Sequence, residues 1–313
     1  MAPSAVGCYP NLMNQMQLSP TFISFIQAAY KEQGIVWLRQ LPTQLERLAK
    51  RWNFRLLKTV TNLTFSFVGI VELQENGERA ILKVVPKGGR VIEEAHWLQC
   101  VKSGVPIVFQ MDEEEPAVLM EYLEPGHSLK KLVQTGSDDK ATRIICQMIL
   151  ALQSQQQKTY PFKHLSELIK DLDHLKGHID SSILSKAQSW FQDLTIDHSN
   201  DVLLHGDLHH ENILAHHDGW KVIDPHGYRG DPAAEIGAMV RNPWDCFPTE
   251  HSMPKIIERR LKILAEELPF DRERMKAWAF CMAVLSEAWH IQDFGIDAKI
   301  DLDMIAAIEK VKL

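Results

Sequence analysis

A change in hydrophobic period along the chain is the feature that most constrains its fold. Between residues 54 and 122 the apolar residues form short alternating runs, which are typical of β-strands and lie at 54–57, 65–73, 79–85, 105–111 and 117–122. One short helix, over 91–102, interrupts these runs. From residue 128 onward the spacing is that of amphipathic helices. The chain is therefore predicted to be α+β, with strands and helices separated along the sequence.

Three regions follow from this pattern. Residues 1–49 are predicted to form an N-terminal arm and helices, residues 50–123 an antiparallel β lobe, and residues 124–313 a mostly helical lobe. An Asn76-Gly77 step predicts a tight hairpin between the second and third strands, since it supplies the positive φ angles that such turns need. Glu124-Pro125-Gly126 is predicted to be a hinge between the lobes.

Composition limits the partners. The formal net charge of the 313 residues is -7, which argues against nucleic acid or an anionic membrane as a ligand. The 5 cysteines are scattered and form no CxxC pair, so a disulfide framework or a structural zinc site is not expected. The first twenty residues contain no Lys or Arg, and no long apolar run exists. We therefore expect a cytoplasmic monomer or weak dimer that acts on a small molecule.

One polar loop carries the chemistry. An apolar strand at 202–204 leads into His205-Gly-Asp-Leu-His-His-Glu-Asn212, and a hairpin then leads to Asp224. Phosphoryl transfer to an alcohol needs a carboxylate that orients the hydroxyl and accepts its proton, together with oxygen ligands for Mg²⁺ on the ATP phosphates. Asp207 fits the first role, and Asn212 and Asp224 fit the second.

These motifs resemble a known family. His205-Gly-Asp-x-x-x-x-Asn212, Ile223-Asp-Pro-His-Gly and Gly230-Asp-Pro-Ala are similar to those of the aminoglycoside phosphotransferases, and most similar to the streptomycin 6-phosphotransferase and hydroxyurea phosphotransferase family, over residues 50–295. The resemblance implies a bilobal protein-kinase-like fold that binds ATP and Mg²⁺ between an antiparallel β N-lobe and a helical C-lobe. It implies an aminoglycoside such as streptomycin as the acceptor, with hydroxyurea or a metabolite as alternatives.

The resemblance also implies roles for upstream residues. Lys83 would grip the α- and β-phosphates of ATP, held by Glu94 rather than by Glu93. The backbone of the linker around Glu121 and Leu123 would bind adenine. The phosphate-covering segment would lie at 61–69, with Ser66 as the candidate contact, although this segment contains no GxGxxG.

Departures from the protein-kinase pattern argue against a regulated protein kinase. Gly206 replaces the Arg that would pair with an activation-loop phosphate, and Asp224 is followed by Pro-His-Gly rather than Phe-Gly. By resemblance, His205 would be structural and Asp231 would brace the catalytic loop. Asp231 is also expected to cap the next helix, with Pro232 at its first position.

Acceptor contacts are predicted near the C-terminal helix. Glu287 and Asp293 are the candidates for binding a positively charged acceptor. Trp244, Trp278 and Trp289 are interpreted as core residues or, alternatively, as an aromatic wall against a sugar.

Two other function classes compete with the kinase. The histidines around the loop suggest a zinc or iron hydrolase, but adjacent histidines such as 209–210 rarely point the same way. An ATP-binding pseudokinase would have lost the Lys, the Asp or the Asn of the active site, and all three types are present at 83, 207 and 212.

Overall fold

The computed structural model describes residues 16, 18–61, 63–154, 160–247, 253–295 and 299–312. They divide into two compact units. The first contains the described residues up to Ala95 and Ile107–Tyr122, and the second contains His96–Pro106 and the described residues from Leu123 onward. The N-terminal helix shares its core with the sheet, so the predicted division at residue 49 lies inside the first unit. Most of the predicted N-terminal arm lies outside the described residues.

Helix α1 (Pro20–Trp52) is part of the sheet unit. It begins at Ser19, whose hydroxyl accepts a hydrogen bond from the Phe22 N–H at 3.1 Å, and it is kinked at Lys31. Its apolar face packs on the sheet in one buried cluster, which includes Leu41, Leu45 and Phe67. Burial of this face explains why the helix cannot form a separate region.

The sheet of the first unit has five antiparallel strands in the order β1-β2-β3-β5-β4. Along the chain the elements are β1 (Phe54–Thr59), β2 (Phe67–Leu73), β3 (Arg79–Val84), α2 (Val91–Cys100), β4 (Val108–Asp112) and β5 (Ala117–Glu121). The predicted hairpin joins β2 and β3, and Gly77 in its turn has φ +74°. Helix α2 begins in the first unit and ends in the second.

Two small sheets position the catalytic loop in the second unit. Strands β6 (Pro125–Ser128), β8 (Ile213–His216) and β9 (Gly219–Val222) form one, in the order β6-β8-β9, and β7 (Val202–Leu204) pairs with β10 (Tyr228–Gly230) in the other. Strand β6 begins at Pro125, within the segment 124–126 that was predicted to be a hinge. Pro125 is tolerated there because it is the first residue of an edge strand, where its missing N–H costs no ladder bond.

Helices form the rest of the second unit. They are α3 (Lys130–Gln134), α4 (Asp138–Ser154), a 3₁₀ helix at Leu165–Leu175, α5 (Ser181–Leu194), a 3₁₀ turn at Pro232–Glu235, α6 (Ile236–Arg241), a 3₁₀ turn at Trp244–Cys246, α7 (Met253–Glu267), α8 (Arg272–Phe294) and α9 (Lys299–Lys310). Helix α8 is central, and its residues from Trp278 to Leu285 are all buried. No helix in the described ranges is long and apolar enough to cross a membrane.

A buried arginine fixes the end of α6. Arg260 has 1% of its surface exposed, and its guanidinium donates to the Asp138 carboxylate. It also donates to the carbonyl oxygens of Met239, Val240 and Asn242 at 2.5–3.1 Å. These are the carbonyls that a helix end leaves without intrahelical partners. Arg260 therefore stabilises the backbone that carries Arg241.

Candidate active site

A buried carboxylate holds the start of the catalytic loop. Glu235, which is 4% exposed, accepts the backbone N–H of His205 at 2.7 Å and that of Gly206 at 3.0 Å. Burial raises the pKa of Glu235 to about 7, although the two N–H donors act in the opposite direction. The loop is therefore braced by Glu235 and not, as expected, by Asp231.

Asp231 has a different structural role. Its side chain caps the turn at Pro232–Glu235 by accepting the Ala233 N–H at 3.0 Å, as predicted. It also accepts hydrogen bonds from Arg274 Nε at 2.5 Å and from the Trp278 indole. Since Asp231 is 9% exposed, these donors satisfy a carboxylate in the interior.

His205 joins the catalytic loop to the segment that follows Ile223. Its Nε2 donates to the Ile223 carbonyl oxygen at 2.9 Å, and its own carbonyl accepts from His226 N and Gly227 N at 2.8 and 3.1 Å. The ring is fully buried, and this burial lowers the pKa of His205 to about 4. His205 is therefore neutral near pH 7 and serves as a structural link, in agreement with the expectation.

The glycine after His205 is required by its surroundings. Gly206 has φ +81°, and a Cβ at this position would lie 2.6 Å from the Tyr228 ring. A side chain here would be strained and would clash. The close packing of Tyr228 thus explains why this loop has a glycine where the His-Arg-Asp pattern has an arginine.

Asp207 lies at the centre of a charged group. Its side chain is 23% exposed, with His209 Nε2 3.5 Å from Oδ2 and Arg241 Nη2 3.8 Å from Oδ1. Burial alone would raise the pKa of Asp207, but the hydrogen bond from His209 and the charges of His209, His226 and Arg241 outweigh it. The pKa of Asp207 is therefore well below its usual range, and the carboxylate is ionised at neutral pH, as a group that orients a hydroxyl must be.

The His209 tautomer follows from its other hydrogen bond. Its Nδ1 accepts the Glu211 backbone N–H at 3.2 Å, so the ring proton of neutral His209 is on Nε2. That proton faces Asp207. The loop thus supplies the carboxylate with a donor from two positions further along the chain.

Asn212 and Asp224 lie at the open end of the β8–β9 hairpin. Residues 213 and 222 pair, and Ile223 N donates to Asn212 O at 2.9 Å, which brings the two backbones together. The Asn212 amide nitrogen donates to Asp207 O at 2.9 Å and to Asp207 Oδ2 at 3.3 Å. This leaves the Asn212 amide oxygen as the group that can bind a cation.

The backbone of Asp224 is in an unusual conformation. Its φ is +58°, a left-handed value that few non-glycine residues adopt and that occurs often at functional sites. An amide oxygen and a carboxylate are the oxygen donors that Mg²⁺ prefers. The residues present therefore fit this metal.

The first unit contains the predicted ion pair. Lys83 Nζ lies 2.6 Å from Glu94 Oε2, and the two side chains are 12% and 7% exposed.

The other two nucleotide candidates in the first unit are Ser66, which is half-buried immediately before β2, and Glu121. The Glu121 N–H donates to Ile107 O at 2.9 Å, so an adenine contact at this residue has to use its carbonyl oxygen.

The second unit contains the last nucleotide candidate and the predicted acceptor residues. Leu123 is buried, with 6% of its surface exposed. Glu287 and Asp293 both lie on α8, but Glu287 has 0% of its surface exposed whereas Asp293 is exposed. Six positions on a helix separate two side chains by about 120° around its axis. The structure therefore does not bring Glu287 and Asp293 together.

The three tryptophans do not form a wall. Trp278 is a core residue with 0% exposure, and Trp244 is 60% exposed. Trp289 is half-buried, donates to Asp171 Oδ2 at 3.0 Å and has its ring edge-on to His226, with 6.5 Å between the ring centroids. Trp289 thus contacts the segment that follows Asp224.

Sequence reasoning missed Arg241. Its Nε is buried and finds no hydrogen-bond partner among the described residues, while its charge acts on both Asp207 and Asp301. Burial raises the pKa of Asp301, whereas the charge of Arg241 and a hydrogen bond from Ser286 at 3.2 Å act to lower it. An arginine at the end of a helix is usually a favourable C-terminal charge, so the sequence carried no signal for this role.

The geometry does not support a metallohydrolase built from the loop histidines. His205 is bonded to a carbonyl oxygen, and His210 is fully buried with a pKa lowered by that burial. Within the described residues, the His, Cys, Asp and Glu side chains whose ligand atoms converge are those of His164, His198 and Asp201. None of them belongs to the catalytic loop.

Together, a sheet unit with a buried Lys–Glu pair and a helical unit with an Asp–Asn–Asp loop define a protein-kinase-like phosphotransferase. The fold agrees with that of a choline/ethanolamine kinase family protein from Mesorhizobium loti, with a TM-score of 0.56 at 13% identity over 85% of this chain and 94% of that one. The predicted fold class is thereby confirmed.

Sequence relatives specify the family. The chain is 30% identical to streptomycin 3''-kinase of Klebsiella pneumoniae over 84% of its own length and 99% of that protein, and 25% identical to streptomycin 6-kinase of Streptomyces glaucescens over 85% and 88%. The model of the aminoglycoside/hydroxyurea antibiotic resistance kinases matches residues 51–294. The chain therefore belongs to this family and is a phosphotransferase that acts on an alcohol group, as the resemblance implied.

Proposed function

We propose that this protein transfers the γ-phosphoryl group of ATP to a hydroxyl of streptomycin or of a similar cationic aminoglycoside, with Asp207 as the catalytic base. The observation that carries the proposal is the attachment of Asn212 to Asp207, beside the Ile223 N–H to Asn212 O bond that brings the backbone next to Asp224 to the same end of the hairpin. Asn212 is fixed to Asp207 through its amide nitrogen. Its amide oxygen and the Asp224 carboxylate are the groups that would hold Mg²⁺.

Each residue of this group has one task. The Asp207 carboxylate accepts the proton of the acceptor hydroxyl as the oxygen–phosphorus bond forms and the bond to the ADP leaving oxygen breaks. Asn212 and Asp224 hold Mg²⁺, which neutralises phosphate charge when bound. Lys83, oriented by Glu94, binds the α- and β-phosphates, and Ser66, the Glu121 carbonyl oxygen and the Leu123 backbone are the further nucleotide contacts.

Charge supports a cationic acceptor. Two relatives are named streptomycin kinases, and this chain carries a formal net charge of -7, which suits an acceptor with ammonium or guanidinium groups. Asp301, which lies within the electrostatic reach of Arg241, is a better candidate for the acceptor contact than the fully buried Glu287. Asp293 is the exposed candidate at the end of α8.

An ATP-consumption screen with product mass analysis tests the proposal. The purified protein is given streptomycin, a second aminoglycoside, hydroxyurea and simple amino alcohols in turn, each with Mg²⁺ and ATP. We expect the fastest turnover with streptomycin and a product heavier by one phosphoryl group. Turnover with hydroxyurea alone would assign the alternative acceptor, which a further relative, the hydroxyurea phosphotransferase of Kitasatospora aureofaciens, represents. No turnover with any acceptor would contradict the proposed activity.

A further inference from the structure

Two imidazoles and a carboxylate converge in the second unit outside the catalytic loop. His164 Nε2 lies 2.9 Å from Asp201 Oδ2, and His198 Nδ1 lies 3.0 Å from the same oxygen. The two ring nitrogens are 3.0 Å apart. The three atoms thus form a nearly equilateral triangle. We propose that His164, His198 and Asp201 form a binding site for a divalent transition metal of the zinc type.

Hydrogen bonds alone do not account for this triangle. His164 Nδ1 accepts the Ser166 N–H at 3.0 Å, so the proton of neutral His164 is on Nε2 and points into the triangle. If His164 donates this proton to Asp201, two states of His198 remain. With a proton on Nδ1, His198 is a second donor that faces the His164 donor at 3.0 Å. Without that proton, its Nδ1 lone pair faces the carboxylate. In either case at least one of the three short edges has no attractive hydrogen bond.

A cation resolves all three edges at once. Once the His164 proton is on Nδ1, each of the three atoms has a lone pair to offer to a shared cation. Tetrahedral zinc binds His nitrogen and carboxylate oxygen at about 2.0–2.2 Å, which corresponds to about 3.3 Å between ligand atoms. The observed edges of 2.9–3.0 Å are shorter by a few tenths of an ångström, so only small side-chain shifts are needed. Two nitrogens and one oxygen favour Zn²⁺, Co²⁺, Ni²⁺ or Cu²⁺ over Mg²⁺ and Ca²⁺.

A neighbouring hydroxyl supports the metal-binding tautomer of His164. When Nε2 binds a metal, the ring proton moves to Nδ1, and Ser166 Oγ lies 2.7 Å from Nδ1 in position to accept it. Such a second hydrogen bond fixes the orientation of most metal-binding histidines. With the proton on Nδ1, His164 no longer accepts the hydrogen bond from the Ser166 N–H, and this loss opposes metal binding at this ring.

The burial of the three ligands is graded. Asp201 is 8% exposed, His164 is 20% exposed and His198 is 56% exposed. A metal held by three protein ligands keeps its fourth position for water, and the exposed side at His198 provides it. The preorganised part of the site is therefore the pair His164 and Asp201, and His198 closes it from the solvent side.

The position of the site predicts its effect. His164 caps the 3₁₀ helix at Leu165–Leu175, and Asp201 immediately precedes β7, the strand that leads into the catalytic loop. A metal would thus cross-link two segments that are separated by the whole of α5. Because only the folded chain brings these segments together, metal binding stabilises the second unit.

Zinc and cobalt titrations of the full chain, after treatment with a chelator, test the proposal. We expect one Zn²⁺ per chain, a rise in the thermal midpoint, and visible absorption of tetrahedral Co²⁺. His198→Ala removes an exposed ligand and is expected to lower the affinity at least about tenfold, a loss of ~1.4 kcal/mol. His174→Ala, an exposed histidine of the same unit, is the matched control and should bind as the wild type does.

A second variant protects the test against a folding artefact. Asp201→Asn keeps the size of the side chain but weakens metal binding, so its affinity should also fall while its secondary structure stays unchanged. Equal affinity of the wild type, His198→Ala and Asp201→Asn would overturn the proposal. Absence of any stoichiometric binding by the wild type would overturn it as well and would identify the triangle as a hydrogen-bonded cluster.

Discussion

Replacing Glu235 by Gln tests the buried carboxylate that braces the catalytic loop. Folding raises the pKa of Glu235 from 4.5 to about 7, chiefly through burial. A pKa raised by folding stabilises the folded state at pH values below the unfolded pKa, and this contribution is lost as the pH rises through the folded pKa. A shift of about 2.5 units at ~1.36 kcal/mol per unit corresponds to about 3 kcal/mol.

The wild type alone does not report this change clearly. The pKa of His205 is lowered from 6.5 to about 4, mainly by burial. Its contribution to stability is present above pH 6.5 and is lost as the pH falls toward 4, so it opposes that of Glu235 over most of the same window. The difference in stability between the wild type and Glu235→Gln removes the His205 contribution, which both proteins share.

The expected difference has a definite sign. Gln cannot ionise, and like a protonated Glu it offers one acceptor oxygen to the N–H groups of His205 and Gly206. The unfolding free energy of the wild type should therefore fall relative to that of Glu235→Gln by about 3 kcal/mol between pH 4.5 and pH 8. For a unit of this size, that is a relative change in thermal midpoint of about 6–12 °C.

Thermal unfolding of both proteins across this pH range is the assay. Glu75→Gln, on the exposed hairpin turn of the first unit, controls for the loss of a surface carboxylate. A difference between wild type and Glu235→Gln that stays constant from pH 4.5 to pH 8 would refute the reasoning. It would mean that the two backbone donors keep Glu235 ionised throughout, and that burial does not dominate its pKa.

Three further predictions concern charged residues. Lys83→Met removes the cation that pairs with Glu94, so ATP affinity should fall at least about tenfold in a nucleotide-binding titration; unchanged affinity would exclude Lys83 from the nucleotide site. Arg241→Ala removes one of the charges that lower the pKa of Asp207, so the acidic limb of the plot of kcat against pH should move to higher pH. Arg241→Lys keeps the positive charge and should return the limb most of the way to its wild-type position. Superimposable profiles of the wild type and Arg241→Ala would contradict this. Arg260→Met leaves Asp138 and three carbonyl oxygens without their donor and should cost about 3 kcal/mol in denaturant unfolding, whereas a loss below about 1 kcal/mol would show that the brace is dispensable.

Features that depend on residues close together in the chain were predictable from the sequence. The alternation at 65–73 and 79–85 and the Asn76-Gly77 step specified the β2–β3 hairpin, because turn chemistry and strand period are local properties. The same holds for the spacing from Asp207 to Asn212, which places both side chains on one loop. The choice of Glu94 over Glu93 as the partner of Lys83 came from the resemblance to the family's helix, and the helix period then excludes Glu93 from the same face.

Long-range partners were not predictable in this way. The brace on the catalytic loop belongs to Glu235 rather than Asp231, and both acids lie in the same short segment, so only the three-dimensional path of the chain distinguishes them. Arg241 approaches Asp207 from a helix end 34 positions away. Glu124-Pro125-Gly126 has the composition of a hinge, but its pairing with β8 depends on a strand that lies about ninety residues further along.

The most direct test of the central claim is the turnover of Asp207→Asn, measured beside its affinity for ATP. Asn keeps the shape of the side chain but cannot accept the proton of the hydroxyl. We predict that kcat falls at least about 10²-fold while the ATP affinity stays nearly unchanged. Asp218→Asn, in the exposed turn of the β8–β9 hairpin, should keep wild-type turnover. An Asp207→Asn enzyme as active as the wild type would contradict the assignment of Asp207 as the catalytic base.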